Sequence, residues 1–431
     1  MIWAGVLLLA LALLGTPLFV VFGALAWLLF WAAGINPAAL MIEFYRLASA
    51  PSLLTIPLFT FAGAILAASQ APQRLVRCAQ AVVGWLPGGL ALVALSACAF
   101  FTAFTGASGV TIIALGGLLL PLLLQERYPE RFSIGLLTTC GSLGLLFPPS
   151  LPVILYGLVA QTPVDLLFLA GLAPGWLLVV SLALFSLYQA RRHHVPVQRS
   201  SWAEARQTLW QARWELALPL LVLGGLYGGL VTINEAAVLT AGYSLLVTVV
   251  IHHDLHLWRD VPQVMTHSMV LVGSIFLILG MALGLTSYCI DAQVPMHILE
   301  TIRQYITSRA MFLLALNLLL LVIGCMMDIF SAIVVIVPLI TPIAAQFGVH
   351  PLHLGIIVLT NLEIGYSTPP VGLNLFLGSL RFERSMTALC RASWPFVCLL
   401  LGVLGLITYL PDLSLGLVRF LGYAELPSLR R

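Results

Sequence analysis

The chain has 431 residues, 61% hydrophobic and 8% charged, with 19 basic and 16 acidic side chains and a net charge of +3, and its mean hydropathy is +1.07. Soluble domains carry roughly 25% charged residues because their surfaces face water; this composition excludes a soluble fold and points to lipid as the solvent. All 19 basic residues are arginine, no basic stripe suggests nucleic acid, and without lysine no G-x-x-x-x-G-K-[ST] phosphate loop exists, which excludes ATP-driven pumping by this chain alone.

In chain order, residues 2–31 form an uncharged apolar run. A cleaved signal would have a basic start and a shorter core, so this run reads as membrane-resident, with Gly15-Thr16-Pro17 as a point where it can split. Further apolar stretches lie at about 51–69, 89–124, 133–160, 165–188, 214–231, 236–251, 267–289, 311–345, 353–380 and 393–410. One spanning helix needs about 20 residues to cross about 30 Å. The runs 89–124 and 311–345 are too long for one span and carry breakers at their midpoints, Thr105-Gly106-Ala107-Ser108-Gly109 and Met327-Asp328-Ile329-Phe330-Ser331. Halves of about 16 residues reach only about 24 Å, which predicts two re-entrant hairpins. The runs 133–160 and 353–380 are interrupted by Pro148-Pro149 and Pro369-Pro370; proline removes a backbone donor and clashes with the preceding turn, so these helices must open.

Pro148 and Pro369 are 221 residues apart, as are Gly144 and Gly365, and each hairpin breaker precedes its proline pair by a similar distance. This spacing predicts two halves of one plan: a first repeat over 1–188, a cytoplasmic amphipathic linker over 189–213 with Trp202 and Trp210 among arginines, a second repeat over 214–410, and a C-terminal tail over 411–431. Interrupted helices at matching places of two halves are the sequence pointer to a secondary transporter's binding site. Alternating sides places the segments 70–87, 125–132, 189–213, 252–266 and 381–391 together, with thirteen of the nineteen arginines. That side is predicted to be cytoplasmic, which makes the repeats inverted.

Asp328 and Glu363 are the only carboxylates deep within apolar runs, and such groups usually face a cavity or a partner. Unwound carbonyls and hydroxyls at half-helix ends suit Na⁺, and half-helix N-termini suit a carboxylate. The candidate cation ligands are therefore Thr105, Gly106, Ser108 and Pro148 in one half and Asp328, Gly365, Thr368 and Pro369 in the other. The candidate substrate-binding residues are Ser108, Thr111, Ser142 and Asn374. The plainer alternative is that these polar side chains only join helices. Gly106-Ala107-Ser108-Gly109 also spells the G-x-S-G of rhomboid intramembrane serine proteases, but a serine nucleophile needs a base within reach, and all nine histidines lie in spacers or at the edges of apolar runs. The run His252-His253-Asp254-Leu255-His256 reads as a solvated loop rather than a metal site. Thr232 and Glu235 fit a helix capping box. The seven cysteines read as small buried hydrophobes.

At these motifs the chain resembles the large membrane subunit of tripartite ATP-independent periplasmic (TRAP) transporters, the DctM-like family. The resemblance runs nearly end to end, through Ile56-Pro57-Leu58-Phe59, Leu86-Pro87-Gly88-Gly89-Leu90, Thr105 to Thr111, Gly141 to Ser150, Thr232 to Ala237, and most specifically Asn361-Leu362-Glu363-Ile364-Gly365 with Thr368 to Phe376. It implies an all-α, inverted-repeat, elevator-type secondary transporter in the bacterial inner membrane. The implied activity is sodium-driven import of a small carboxylate, with no cofactor beyond Na⁺, and the implied partners are a small membrane subunit and a periplasmic substrate-binding protein. Ala107 stands where the family commonly has a hydroxyl. A stand-alone ion-coupled carrier of the same fold is the alternative.

Overall fold

Proline marks where the helices begin. Pro17, Pro37, Pro129 and Pro163 immediately precede helices, and Pro351 and Pro411 open them, positions where the missing N–H costs nothing. The computed structural model describes residues 16–49, 51–86, 88–195, 202–306 and 308–422, and among these the chain is helical without strands. The helices are α1 (Leu18–Ala32), α2 (Ala38–Ala48), α3 (Thr55–Ala68), α4 (Ala71–Val83), α5 (Gly89–Thr105), α6 (Ser108–Gln125), α7 (Glu130–Cys140), α8 (Leu151–Val159), α9 (Val164–Arg192), α10 (Trp202–Gln211), α11 (Arg213–Tyr227), α12 (Ile233–Ile251), α13 (Asp260–Asp291), α14 (Val294–Tyr305), α15 (Arg309–Met326), α16 (Ile329–Gln346), α17 (Pro351–Gly365), α18 (Leu373–Phe382), α19 (Met386–Tyr409) and α20 (Pro411–Phe420). Among the described residues seven helices are long and apolar enough to cross a membrane, or up to nine if each bent pair counts as one span. The chain is a multi-pass membrane protein.

The two long apolar runs are helix pairs broken at Gly106–Ala107 and at Met327–Asp328. The two proline-broken runs are α7, a 3₁₀ turn at Leu143–Leu146 and α8 in one half, and α17 followed by α18 in the other; both proline pairs are joined by cis bonds. These elements cross over. α18 packs on α6 of the first hairpin, and α8 packs on α16 of the second. α9, α19 and α20 close around them, while α1, α2 and α12 pack with α3 and α13 in an outer layer. α17 is buried from Leu352 through Gly365, which suits a helix whose unwound end needs protein rather than lipid for company.

The first run starts its described helix only after Pro17; residues 2–15 of the predicted 2–31 run lie outside the described residues. The predicted linker divides: α9 continues to Arg192, residues 196–201 are outside the described residues, and α10 lies on α4 with Trp202 and Trp210 exposed. Of the predicted tail, 411–420 is helical and packs on α9 because Ser414, Leu415 and Val418 give it one buried face. The Thr232–Glu235 capping box is formed.

The loop at 252–256 exposes His253 and His256, as expected of a solvated loop, but turns His252 and Asp254 into an ion network with α4 and α11. Arg74 on α4 donates to Glu215 of α11 at 2.6 Å and to Asp254 at 2.7 Å, with side-chain exposures of 13%, 1% and 5%. His252 Nε2 stands 3.5 Å from Glu215 without making a hydrogen bond; burial first, and then the charge of Arg74, hold its imidazole below the usual range. The partners are far apart in sequence, so the network ties the α12–α13 loop and the start of α11 to the first turn of α4. Removing one member of a buried pair leaves an uncompensated charge, at a cost of about 3–5 kcal/mol. Arg74→Gln should therefore lower the thermal unfolding temperature of the purified chain markedly, and adding Glu215→Gln and Asp254→Asn should recover most of the loss; an unchanged transition in Arg74→Gln would remove the network from the account.

Candidate functional site

The first hairpin turns at Gly106, which adopts φ +63°, and a Cβ there would lie 2.6 Å from Leu151. Glycine is needed both for the left-handed turn and for the approach of the tip to the start of α8. Behind the turn, Thr102 Oγ1 lies 2.7 Å from Thr111 Oγ1 and donates to the Gly141 carbonyl at 2.8 Å. One buried hydroxyl thus joins both arms of the hairpin to the first helix break. Ser108 and Thr111 are buried. Ser142 donates to Thr139 O at 3.3 Å, and Thr105 reaches Ala107 O at 3.5 Å, the outer limit of a hydrogen bond. Ala107 gives α6 no side-chain cap. The hydroxyls of Ser108 and Ser150 are buried without a hydrogen-bond partner.

The second tip is finished differently. Asp328 caps α16, its carboxylate accepting from Ser331 N at 3.0 Å and from Ser331 Oγ at 2.5 Å, while the Tyr366 hydroxyl accepts from the Ile329 amide. Gly324 and Gly365 meet so closely that a Cβ on Gly365 would lie 2.7 Å from the Gly324 backbone, and Gly372 N donates to Cys325 O at 2.9 Å. Within the break, Thr368 donates its hydroxyl to Ile364 O at 2.9 Å, and the Gly365 carbonyl accepts from Thr368 N at 2.9 Å. Asn374 is buried, its amide nitrogen 3.5 Å from Ser367 Oγ and its Oδ1 unpartnered.

The predicted residues thus form two groups. Thr105, Gly106, Ser108, Thr111, Ser142 and Pro148 gather at the first tip and break; Asp328, Gly365, Thr368, Pro369 and Asn374 gather at the second. The contact between Gly109 and Leu377 brings α6, which begins at Ser108, against α18, which carries Asn374. A cavity of about 810 Å³ lined by Arg46, Gln161, Thr286 and Thr341 contains none of the predicted residues.

Sequence reasoning missed Thr102, Ser150 and Tyr366. It also missed a buried ladder in which Asn361 donates to Asn317 at 2.8 Å, Asn317 to Thr408 at 3.0 Å, and His353 bridges the Thr408 carbonyl and Ser414 at 3.1 and 3.2 Å. Asn361, two residues before Glu363 in the Asn361–Gly365 motif, was the available signal. Glu363 itself is buried with both carboxyl oxygens unpartnered. His353 is not the peripheral residue its sequence position suggested, yet its bonds leave it no link to Ser108, whose hydroxyl meets no base. Among the described residues no group of three His, Cys, Asp or Glu side chains is placed to hold a metal.

Comparison with known proteins gives the same architecture and a family. The YdaH transporter of Alcanivorax borkumensis superposes with a TM-score of 0.63 at 17% identity, over 90% of this chain and 88% of that one, which shows a shared fold. The C4-dicarboxylate TRAP transporter large permease protein DctM of Pseudomonas aeruginosa is 36% identical over 93% of both chains, and that of Rhodobacter capsulatus is 33% identical over 96% of this chain and 98% of the relative. The isethionate TRAP transporter permease protein DctMQ of Oleidesulfovibrio alaskensis is 34% identical over 93% of this chain but 64% of its own length. The family model for the DctM component of tripartite ATP-independent periplasmic transporters matches residues 5–413. The chain belongs to that family: it is the large permease component of a TRAP transporter, and not an enzyme.

Proposed function

We propose that this chain forms the translocation pathway of a Na⁺-coupled importer of a small organic acid in the bacterial inner membrane, working with a small membrane subunit and a periplasmic binding protein. The observation that carries this reading is the pair of tip–break junctions, where buried oxygens of Ser108, Ser150 and Asn374 have no donor. Hard cations take oxygen ligands, and a buried polar atom left without a partner costs free energy, so these oxygens suit a coupling ion and a polar solute. Thr105, Gly106, Ser108 and Pro148 would contribute to a cation site in the first half, and Asp328, Gly365, Thr368 and Pro369 to one in the second. Ser108, Thr111, Ser142 and Asn374 would face the organic acid.

The contrast between the tips supports assigning the anion to the first. At the second tip, Asp328 and Tyr366 already occupy amides of α16 and Asp328 adds a negative charge; at the first, the start of α6 is uncapped beside a buried, unpartnered hydroxyl. A helix N-terminus with free amides favours an anion. The relatives named for C4-dicarboxylates and for isethionate are named for small organic anions. The name of the longer DctMQ relative supports a second membrane component, and the family's description as tripartite and periplasmic supports a third. The arginine-rich segments would be cytoplasmic, the two halves inverted, and transport would move the hairpin-bearing bundle against the outer layer.

In proteoliposomes, uptake should require this chain, the small subunit, the loaded binding protein and an inward sodium gradient together; robust uptake by the single chain would favour the stand-alone carrier instead. Hydrogen bonds to charged groups contribute about 1.5–3 kcal/mol, so Ser108→Ala should fold normally yet raise the half-saturating substrate or sodium concentration by about tenfold or more. Unchanged sodium and substrate curves would remove Ser108 from the site.

A further inference from the structure

α18 and α6 lie side by side, and two glycines of α6 set how closely. A Cβ on Gly109 would come within 2.4 Å of Leu377, and one on Gly117 within 1.6 Å of the Arg381 guanidinium. The guanidinium thus rests in a notch that any side chain at position 117 would fill. On α18, Asn374 and Arg381 are two turns apart on one face, about 10 Å along the axis. Gly117 lies about 12 Å along α6 from its arginine-rich end at Gln125. A helical side chain tilts toward its helix N-terminus, here toward Asn374 and the first tip.

Gly117 lies within the candidate membrane span Ser108–Gln125, and a charged group set against such a span usually pairs with something or faces a cavity. Arg384, one turn further on, pairs with Glu130 at 2.6 Å, and Arg131 donates to the Arg391 carbonyl at 2.8 Å. Arg381 is exposed, and none of the ion pairs among the described residues includes it. An arginine that only snorkels to the membrane surface needs no glycine notch inside the hairpin to hold it.

We propose that Arg381, seated over Gly117, binds the carboxylate or sulfonate of the transported solute on the inner half of its path, between the Ser108–Asn374 region and the arginine-rich face. The planar guanidinium matches such groups through paired hydrogen bonds. This rests on the reading that the first tip holds an organic anion, and adds a second contact point on the way out.

The test is thermal unfolding of the purified full chain titrated with succinate, and separately with isethionate, against chloride at equal ionic strength. The wild-type chain is stabilised by at least one of the two. Arg381→Gln weakens that response about ten- to a hundredfold, and Arg381→Lys retains part of it. Gly117→Ala, which displaces the guanidinium without removing its charge, behaves like Arg381→Gln, and the double variant is no worse than either single one. A surface arginine with no ligand predicts instead that Gly117→Ala responds as the wild type. Wild-type midpoints in both Arg381→Gln and Gly117→Ala would overturn the proposal while leaving the tip reading intact. A wild-type chain indifferent to both anions would remove that premise and the proposal with it.

Discussion

Unwound backbone at membrane depth has to be enclosed, because lipid offers no hydrogen-bond partner and each exposed peptide group there costs several kcal/mol. Much of this structure answers that constraint. The first break is pressed against the first hairpin, where a Cβ on Gly144 would lie 2.3 Å from the Ala99 carbonyl, and against α9, where one on Gly171 would lie 2.6 Å from the Leu146 carbonyl. The second break is pressed against the second hairpin through Gly324 and Gly365. Each junction is held by backbone brought into contact with backbone, so small residues sit where the packing is closest. The crossing of α18 onto α6 and α8 onto α16 then ties the two junctions into one bundle.

Within that shared plan the two tips diverge in polarity. The second is closed by its own side chains, Asp328 and Ser331 on α16 with Tyr366 from the break, and most of its local donors are spent internally. The first satisfies its scaffold through Thr102, Thr111 and Gly141 but leaves Ser108 and Ser150 without partners. The two junctions therefore share an architecture but not a hydrogen-bond pattern. Glu363 heightens the asymmetry, since the equivalent place 221 residues earlier is Ser142, a neutral side chain with its own bond to Thr139.

The hairpins and broken helices were legible because glycine, proline and aspartate interrupt runs that are otherwise uniformly apolar, and their spacing repeats. The bend of 73° between α3 and α4 was not, because α4 mixes polar and apolar residues and read as a spacer. The Arg74 network escaped notice since its members are 141 and 180 residues apart and look like separate loop charges. Thr102 and Tyr366 were hidden for another reason: Thr102 sits a turn before the first tip and Tyr366 is the first residue of the second break, and the contribution of each is a hydrogen bond to another segment. The Asp328 position was legible, but its capping of α16 depends on the geometry of the turn. His353 looked peripheral until α20 was seen to cover it.

The central claim is that cations occupy the two tip–break junctions. Its most direct measurement is anomalous diffraction from crystals of the chain in which sodium is replaced by thallium. The account predicts density at the first junction, among Thr105, Gly106, Ser108 and Pro148, and at the second, among Asp328, Gly365, Thr368 and Pro369. Ordered thallium found only elsewhere, with both junctions empty at concentrations that support uptake, would contradict it.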